Sequence, residues 1–270
     1  MNPYLKLTRP VTSFLGTLGV IVGALIAGIT SLELIILGAI SAFFIAAASN
    51  AINDYFDIET DKISKKHRPI ASGKVKPKTA FMIAMACFAI GGLISLTFHV
   101  YAAVLAFFVI FLSYVYSWKL KSRPLIGNLA DSFMAAATFV FGGFLIGYFD
   151  LTILVIFLMA FAGNTAREIA KDIEDIKGDK KADMHTLPIL IGDHFSKFIA
   201  LAFLLIAVFL SLIPYGLEIF GMNYLYAIFV ADLVFFASGF VLMTNPAKAQ
   251  RIMKIGMFFV IAAFLIGIYF

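Results

Sequence analysis

Among 270 residues there is one cysteine, one tryptophan and eight prolines, and charged side chains make up only 14%. The lone thiol, Cys87, excludes an internal disulfide and any metal site that needs two cysteine ligands. So little charge beside 62% hydrophobic residues excludes a surface solvated by water in the ordinary way. The apolar stretches lack the strict polar–apolar alternation of a membrane barrel. Basic and aromatic residues do not interleave, so the net charge of +5 gives no reason to expect nucleic-acid binding. No Ala-x-Ala-like site follows the first apolar stretch, which argues against a cleaved signal peptide.

What the sequence does have is apolar length, and the natural solvent for such a chain is a lipid bilayer. Crossing about 30 Å of hydrocarbon takes roughly 20 mostly apolar residues in a helix. Nine stretches qualify, at about 11–31, 33–52, 79–98, 100–118, 126–148, 150–168, 197–214, 223–243 and 251–270. Backbone amides in lipid have no water to bond, so these stretches are expected to be helices. The expected fold class is all-α, a polytopic bundle of nine transmembrane helices around a central cavity with cytoplasmic cap loops. All 21 Lys and Arg residues fall on one side of this arrangement, and the opposite turns carry Glu33, His99, Asp150 and Glu218 instead. The positive-inside bias then places the amino terminus and the long charged loops in the cytoplasm, in a multi-pass protein of the cell membrane.

Two acidic clusters extend from even-numbered spans into those long loops. In the first, Asn53, Asp54, Asp57 and Asp61 fall within an arc of about 100° on a helix. In the second, Asn164, Glu168, Asp172, Asp175 and Asp179 fall within about 80°, provided the helix continues through Gly178. Like charges at this spacing repel, so a cation is expected nearby. Oxygen ligands without His or Cys select hard cations, and Mg²⁺ keeps water or binds substrate phosphates beside one or two carboxylates. Two such clusters suit a diphosphate bridged by Mg²⁺. The bland alternative for each is a solvated helix end at the membrane surface. An internal echo favours pairing them: Asp57-Ile58-x-x-Asp61-Lys62 recurs as Asp175-Ile176-x-x-Asp179-Lys180, each followed by a His (His67, His185) and then a Pro. We read one domain with two pseudo-repeat halves, about 1–118 and 119–270.

These residues resemble the UbiA superfamily of intramembrane prenyltransferases. Its two signatures, Asn-Asp-x-x-Asp-x-x-x-Asp and Asp-x-x-x-Asp, match Asn53 to Asp61 and Asp175 to Asp179. His67-Arg68-Pro69 through Gly73, Tyr116-Ser117-x-Lys119 and Thr8-Arg9-Pro10 also fit its pattern, and the resemblance covers essentially the whole chain. Arg167-Glu168-Ile169 leading into Lys171-Asp172 is most similar to the archaeal branch that makes digeranylgeranylglyceryl phosphate. The resemblance implies Mg²⁺-dependent transfer of a geranylgeranyl group from its diphosphate to an amphipathic lipid acceptor, the hydroxyl of geranylgeranylglyceryl phosphate. Other members act on quinone precursors, chlorophyllide or haem.

On that reading Asp57, Asp61, Asp175 and Asp179 hold Mg²⁺ with Asn53, while Asp54 and Asp172 either join them or support them. Arg68, Arg9, Lys119 and Arg167 are candidates to stabilise charge on the departing diphosphate, and Tyr116 belongs to the same element as Lys119. Asn128 and Asp131 are candidates for the acceptor side, with helix capping as the alternative. Lys119, Lys121 and Arg123 are sequence neighbours able to anchor an acceptor phosphate, although topology alone also explains them. His67 and His185 read as loop residues, and Asp232, inside the eighth span, has no partner readable from sequence. A secondary transporter is the rival from another class. It would place its acids at mid-membrane and break its spans in pairs with Gly or Pro, whereas these acids collect at one face.

Overall fold

A computed structural model describes residues 2–270, and every regular element among them is helical. In chain order they are α1 Pro3–Leu7, α2 Pro10–Ile26, α3 Leu32–Phe56, α4 Ile58–Ser64, α5 Pro77–Ser95, α6 Val100–Trp118, α7 Ile126–Phe144, α8 Leu151–Lys181, α9 Leu187–Ile191, α10 Asp193–Ser211, α11 Ile213–Gly216, α12 Met222–Thr244 and α13 Pro246–Tyr269, with a 3₁₀ turn at Leu120–Ser122. Starts are marked chemically. Pro opens α1, α2, α5 and α13 at positions whose amide has no helical partner, and Ser31 and Asp150 accept from backbone amides at the starts of α3 and α8.

Seven segments among the described residues are long and apolar enough to cross a membrane: α3, α5, α6, α8, α10 running on into α11, α12 and α13. The other two expected spans fall on α2 and α7. Helix α2 is apolar but has 17 residues, a rise of about 26 Å and so short of the hydrocarbon thickness. Helix α7 has 19 residues, and Asn128 and Asp131 near its start dilute its apolarity. In contrast, α8 has 31 residues, a rise of about 46 Å, so its charged end outruns the hydrocarbon. Gly178 does not end it.

The chain divides into two compact units. The first runs to Lys121 and adds Ala137–Tyr148; the second comprises Ser122–Ala136 and Phe149–Phe270. In the first, α3 is the hub, packed by α1, α2, α4, α5 and α6. Five of its buried positions are small, Gly38, Ser41, Ala47, Ala48 and Ala51, beside Ile35, Ile45 and Ile52. They let backbones approach, so that Ser41 Oγ donates to the Gly91 carbonyl of α5 at 2.8 Å and Ser49 meets Ser113 of α6 at 2.7 Å. In the second unit α8 holds the corresponding place against α9, α10 and α13, with Ala162, Ala166 and Ala170 buried beside Ile169 and Ile173.

In the first unit, α2 and the distal half of α7 approach closely through glycines. A Cβ on Gly23 would stand 2.0 Å from the Phe139 carbonyl oxygen, and one on Gly142 would stand 2.3 Å from that of Val20. A Cβ on Gly16 meets nothing within 4 Å. Gly23→Ala and Gly142→Ala should therefore each destabilise by about 1–3 kcal/mol through overpacking. Gly16→Ala should leave the thermal midpoint in detergent unchanged. Equal midpoints for all three variants would contradict this packing.

Candidate active site

The first acidic cluster is built by a helix that bends without losing its hydrogen-bond ladder. Asp57 ends α3 and precedes α4, yet its amide donates to the Asn53 carbonyl at 3.0 Å and its own carbonyl accepts from Asp61 at 2.8 Å. The helical face inferred from spacing therefore persists through the bend. Asp54, Asp57 and Asp61 are 2%, 8% and 3% exposed, so each carboxylate needs a compensating partner.

Arg68 supplies the central one. Beyond α4 the chain turns back through Gly73 at φ +73, and Ile70 and Val75 sink into the apolar core. That anchorage returns Arg68 over the acids, with Nη1 at 2.9 Å from Asp54, 2.8 Å from Asp61 and 3.7 Å from Asp57. Arg9 pairs with Asp54 and Lys121 with Asp57. Arg9 holds left-handed backbone at φ 44 between α1 and α2, a conformation that costs a non-glycine residue about 1–2 kcal/mol. Its Nη1 also donates to Asn50 at 3.2 Å, and Asn50 donates to Ser13 at 3.2 Å. Three carboxylates thus face three cations. Burial pushes the Asp61 carboxyl above its ordinary value, and Arg68 partly offsets this.

The second cluster lies within the second unit, where the start of α7 meets the charged end of α8. Asn128 donates to Asp172 at 2.7 Å, and Asn164 donates to Asp131 and to Ser132 at 3.3 Å. The two pairs are reciprocal: each helix contributes one amide and one carboxylate. Arg167 pairs with Glu168 and donates to Asn164 at 3.3 Å, and Lys171 donates to Glu168 at 2.8 Å. Asp179 accepts from Thr186 at 3.3 Å, and Asp175 is half-buried one turn before it.

The sequence model of the UbiA prenyltransferase family matches residues 17–262. This chain belongs to the UbiA prenyltransferase family. It is 41% identical over 229 residues to the digeranylgeranylglyceryl phosphate synthase of Methanosarcina mazei, covering 84% of this chain and 79% of that one. A solved structure concerned with digeranylgeranylglyceryl phosphate synthase in membranes is 34% identical, with TM-score 0.83 over 98% of this chain and 97% of that one. The UbiA homolog of Archaeoglobus fulgidus bound to DMAPP and Mg²⁺ shares the fold at 22% identity, with TM-score 0.76 over 98% of each chain. The chain is accordingly an enzyme of prenyl transfer in the membrane.

Against the UbiA pattern, the structure gathers Arg9, Asp54, Asp57, Asp61 and Arg68 in one network, and Asn128, Asp131, Arg167 and Asp172 in another. Asn53 and Tyr116 are half-buried, while Lys119 caps α6 with Nζ 5.8 Å from the Trp118 ring centre. No three His, Cys, Asp or Glu side chains among the described residues stand as a ready metal cage. The acids face cations instead. Their donor chemistry nevertheless fits Mg²⁺, since it is all oxygen and three carboxylates converge on a single cationic nitrogen.

Sequence reasoning missed Asn50 and did not assign the partners of Lys121 and Glu168. Lys121 was one of three equivalent basic neighbours, but it pairs with Asp57. Asn50 braces Arg9, and its only signal is its place one turn before Asp54. Glu168, part of the second acidic face, organises Arg167 and Lys171. Asp232 also has its partner: Ser211 Oγ donates to it at 2.8 Å, and the Ser211 carbonyl accepts from Tyr224 at 2.7 Å. His67 and His185 are exposed.

The reciprocal pairs between α7 and α8 make a measurable claim. In a double-mutant cycle of Asn128→Ala and Asp172→Ala, thermal unfolding should show a coupling of about 0.5–2 kcal/mol. Additive losses would remove the pairing.

Proposed function

We propose that this chain joins the geranylgeranyl group of geranylgeranyl diphosphate to the free hydroxyl of geranylgeranylglyceryl phosphate, forming an archaeal lipid ether and releasing diphosphate. The support is its 41% identity to a synthase of that name, together with a site chemistry suited to the reaction. The observation that carries it is the group of buried acids, Asp54, Asp57 and Asp61, around the one guanidinium nitrogen of Arg68. Such an arrangement is costly to maintain at a membrane boundary, and it matches a metal-bound diphosphate in both charge and donor type.

In this reading Asp57, Asp61, Asp175 and Asp179 hold Mg²⁺ with Asn53, and Asp54 and Asp172 hold it or brace those that do. The bound metal supplies positive charge that makes diphosphate a better leaving group. Arg68, Arg9, Lys119 and Arg167 donate hydrogen bonds to diphosphate oxygens, most strongly as negative charge grows on them. Lys121, already against Asp57, adds a second ammonium on that side. Tyr116, Asn128 and Asp131 contact the acceptor. Ionisation at an allylic carbon requires that water be kept out, and the apolar spans provide that. Each methylene of the prenyl tail adds about 0.8 kcal/mol to its partition among them.

The same reading completes the topology. Helices α2 and α7 count as spans, giving nine, with the amino terminus and the active face cytoplasmic. The one-sided placement of the 21 Lys and Arg residues supports this. The chain is then one domain of two pseudo-repeat halves, about 1–118 and 119–270.

Purified protein given geranylgeranyl diphosphate, Mg²⁺ and geranylgeranylglyceryl phosphate should release diphosphate and form the diether; omitting the metal or the acceptor should stop it. Asp57→Asn and Asp175→Asn should each lower turnover at least about 100-fold, the scale for losing a key electrostatic group, with elution on gel filtration unchanged. Full turnover in either variant would refute the site. Preference for a quinone precursor or a porphyrin in the same assay would refute the acceptor.

A further inference from the structure

Arg9 adopts a backbone that its own sequence disfavours twice. It is left-handed at φ 44, ψ 61 with no side-chain cap, and Pro10 follows directly, a neighbour that pushes the preceding residue toward extended backbone. Such a conformation persists only where its surroundings dictate it, and such places cluster at functional sites. Three hydrogen bonds dictate it here. The Arg9 amide donates to the Lys6 carbonyl at 3.3 Å, the Arg9 carbonyl accepts from the Ser13 amide at 3.0 Å, and Ser13 Oγ donates to the Thr8 carbonyl at 2.8 Å. Ser13 is buried, at 1% exposure.

The far end of the Arg9 side chain returns to the same serine. Arg9 Nη1 donates to Asn50 Oδ1 at 3.2 Å, and Asn50 Nδ2 donates to Ser13 Oγ at 3.2 Å. A closed circuit therefore runs from the Thr8 carbonyl through Ser13 and Asn50 to the guanidinium and back along Arg9 itself. Each polarity in it is determined. A guanidinium can only donate, and Ser13 has given its one proton to Thr8, so the residue between them must accept on one side and donate on the other. Asparagine does both, whereas an aspartate in its place has no proton to give.

Asp54 shows why the circuit is needed. Arg9 and Arg68 share its single oxygen Oδ1, so two like charges meet at one acceptor and repel. Arg68 is held by a second carboxylate, Asp61, at 2.8 Å. The second acceptor of Arg9 is neutral Asn50, one turn before Asp54 on the same face of α3. Two acceptors on that face fix the plane of the guanidinium, which Asp54 alone would leave free to turn. They occupy two of its five N–H groups, and Arg9 also borders, with Asp54 and Arg68, a cavity of about 500 Å³.

We propose that Asn50 and Ser13 are positioning residues, which set the direction of the Arg9 guanidinium and so its hydrogen bonds to diphosphate, without touching a substrate themselves. This rests on the diphosphate role proposed above for Arg9.

Two measurements on the full chain in detergent test this. In calorimetry with inorganic pyrophosphate and Mg²⁺, Asn50→Ala and Ser13→Ala should each weaken binding roughly tenfold, the scale of one charge-assisted hydrogen bond. Once Arg9 is replaced by alanine, Asn50→Ala should have no further effect. Unchanged affinity in either single variant, or the same loss from Asn50→Ala with and without Arg9, overturns the proposal. The second measurement needs no ligand. Modification of Arg9 by phenylglyoxal, read by mass spectrometry, should quicken severalfold in Asn50→Ala and in Ser13→Ala, while Arg167 and Arg251 of the second unit react at the wild-type rate. No change at Arg9, or a matching rise at all three arginines, overturns the brace. Wild-type protein that binds no pyrophosphate instead refutes the diphosphate role of Arg9, so the two failures are told apart.

Discussion

Burying carboxylates at the edge of a membrane is the constraint around which the first unit is organised. Each acid taken out of water costs several kcal/mol unless a counter-charge comes with it, and Asp54, Asp57 and Asp61 are all nearly sealed. Arg68 resolves most of that cost by touching all three. The segment after α4 is shaped accordingly: a glycine turn and two apolar anchors, Ile70 and Val75, carry Arg68 back to the acids. Arg9 and Lys121 complete the balance from the opposite direction in sequence. The protein can therefore fold with its buried acids compensated by side-chain cations.

The apolar scaffold serves this chemistry through spacing. Small residues on α3 and α8 let neighbouring helices close in, which fixes each helix against sliding or rotation. An acid at the end of such a helix inherits that fixity. Where polar groups do occur between helices, they are paired. Asn128 with Asp172, Asn164 with Asp131 and Ser211 with Asp232 each give a carboxylate a neutral donor. A neutral donor satisfies the oxygen without introducing another charge into a medium that solvates charge poorly.

Much of this was legible in the sequence, and the part that was not has a common cause. Helical spacing alone put Asn53, Asp54, Asp57 and Asp61 on one face, because that property is local and the ladder through Asp57 preserves it. The fold class followed from apolar length. Asn128 could not be distinguished from a cap, because its partner lies 44 residues away on an antiparallel helix. Asp232 looked partnerless because Ser211 lies 21 residues earlier, across a turn. Lys121 was indistinguishable from Lys119 and Arg123 until the end of α6 set its direction. The left-handed backbone at Arg9 carried no signal at all, since arginine is not a residue that favours it. Length and apolarity pick out seven spans among the described residues; α2 falls short of that measure because it has 17 residues, and α7 because two of its early positions are polar.

Asp54 carries two guanidinium groups at once, Arg9 and Arg68, and Arg68 reaches on to Asp57 and Asp61. The charges are therefore shared and not matched one to one, so removing any single cation leaves a nearly sealed carboxylate short of compensation. A network of this kind stands or falls as a unit, and it ties the end of α3, the whole of α4 and the segment that carries Arg68 into one arrangement.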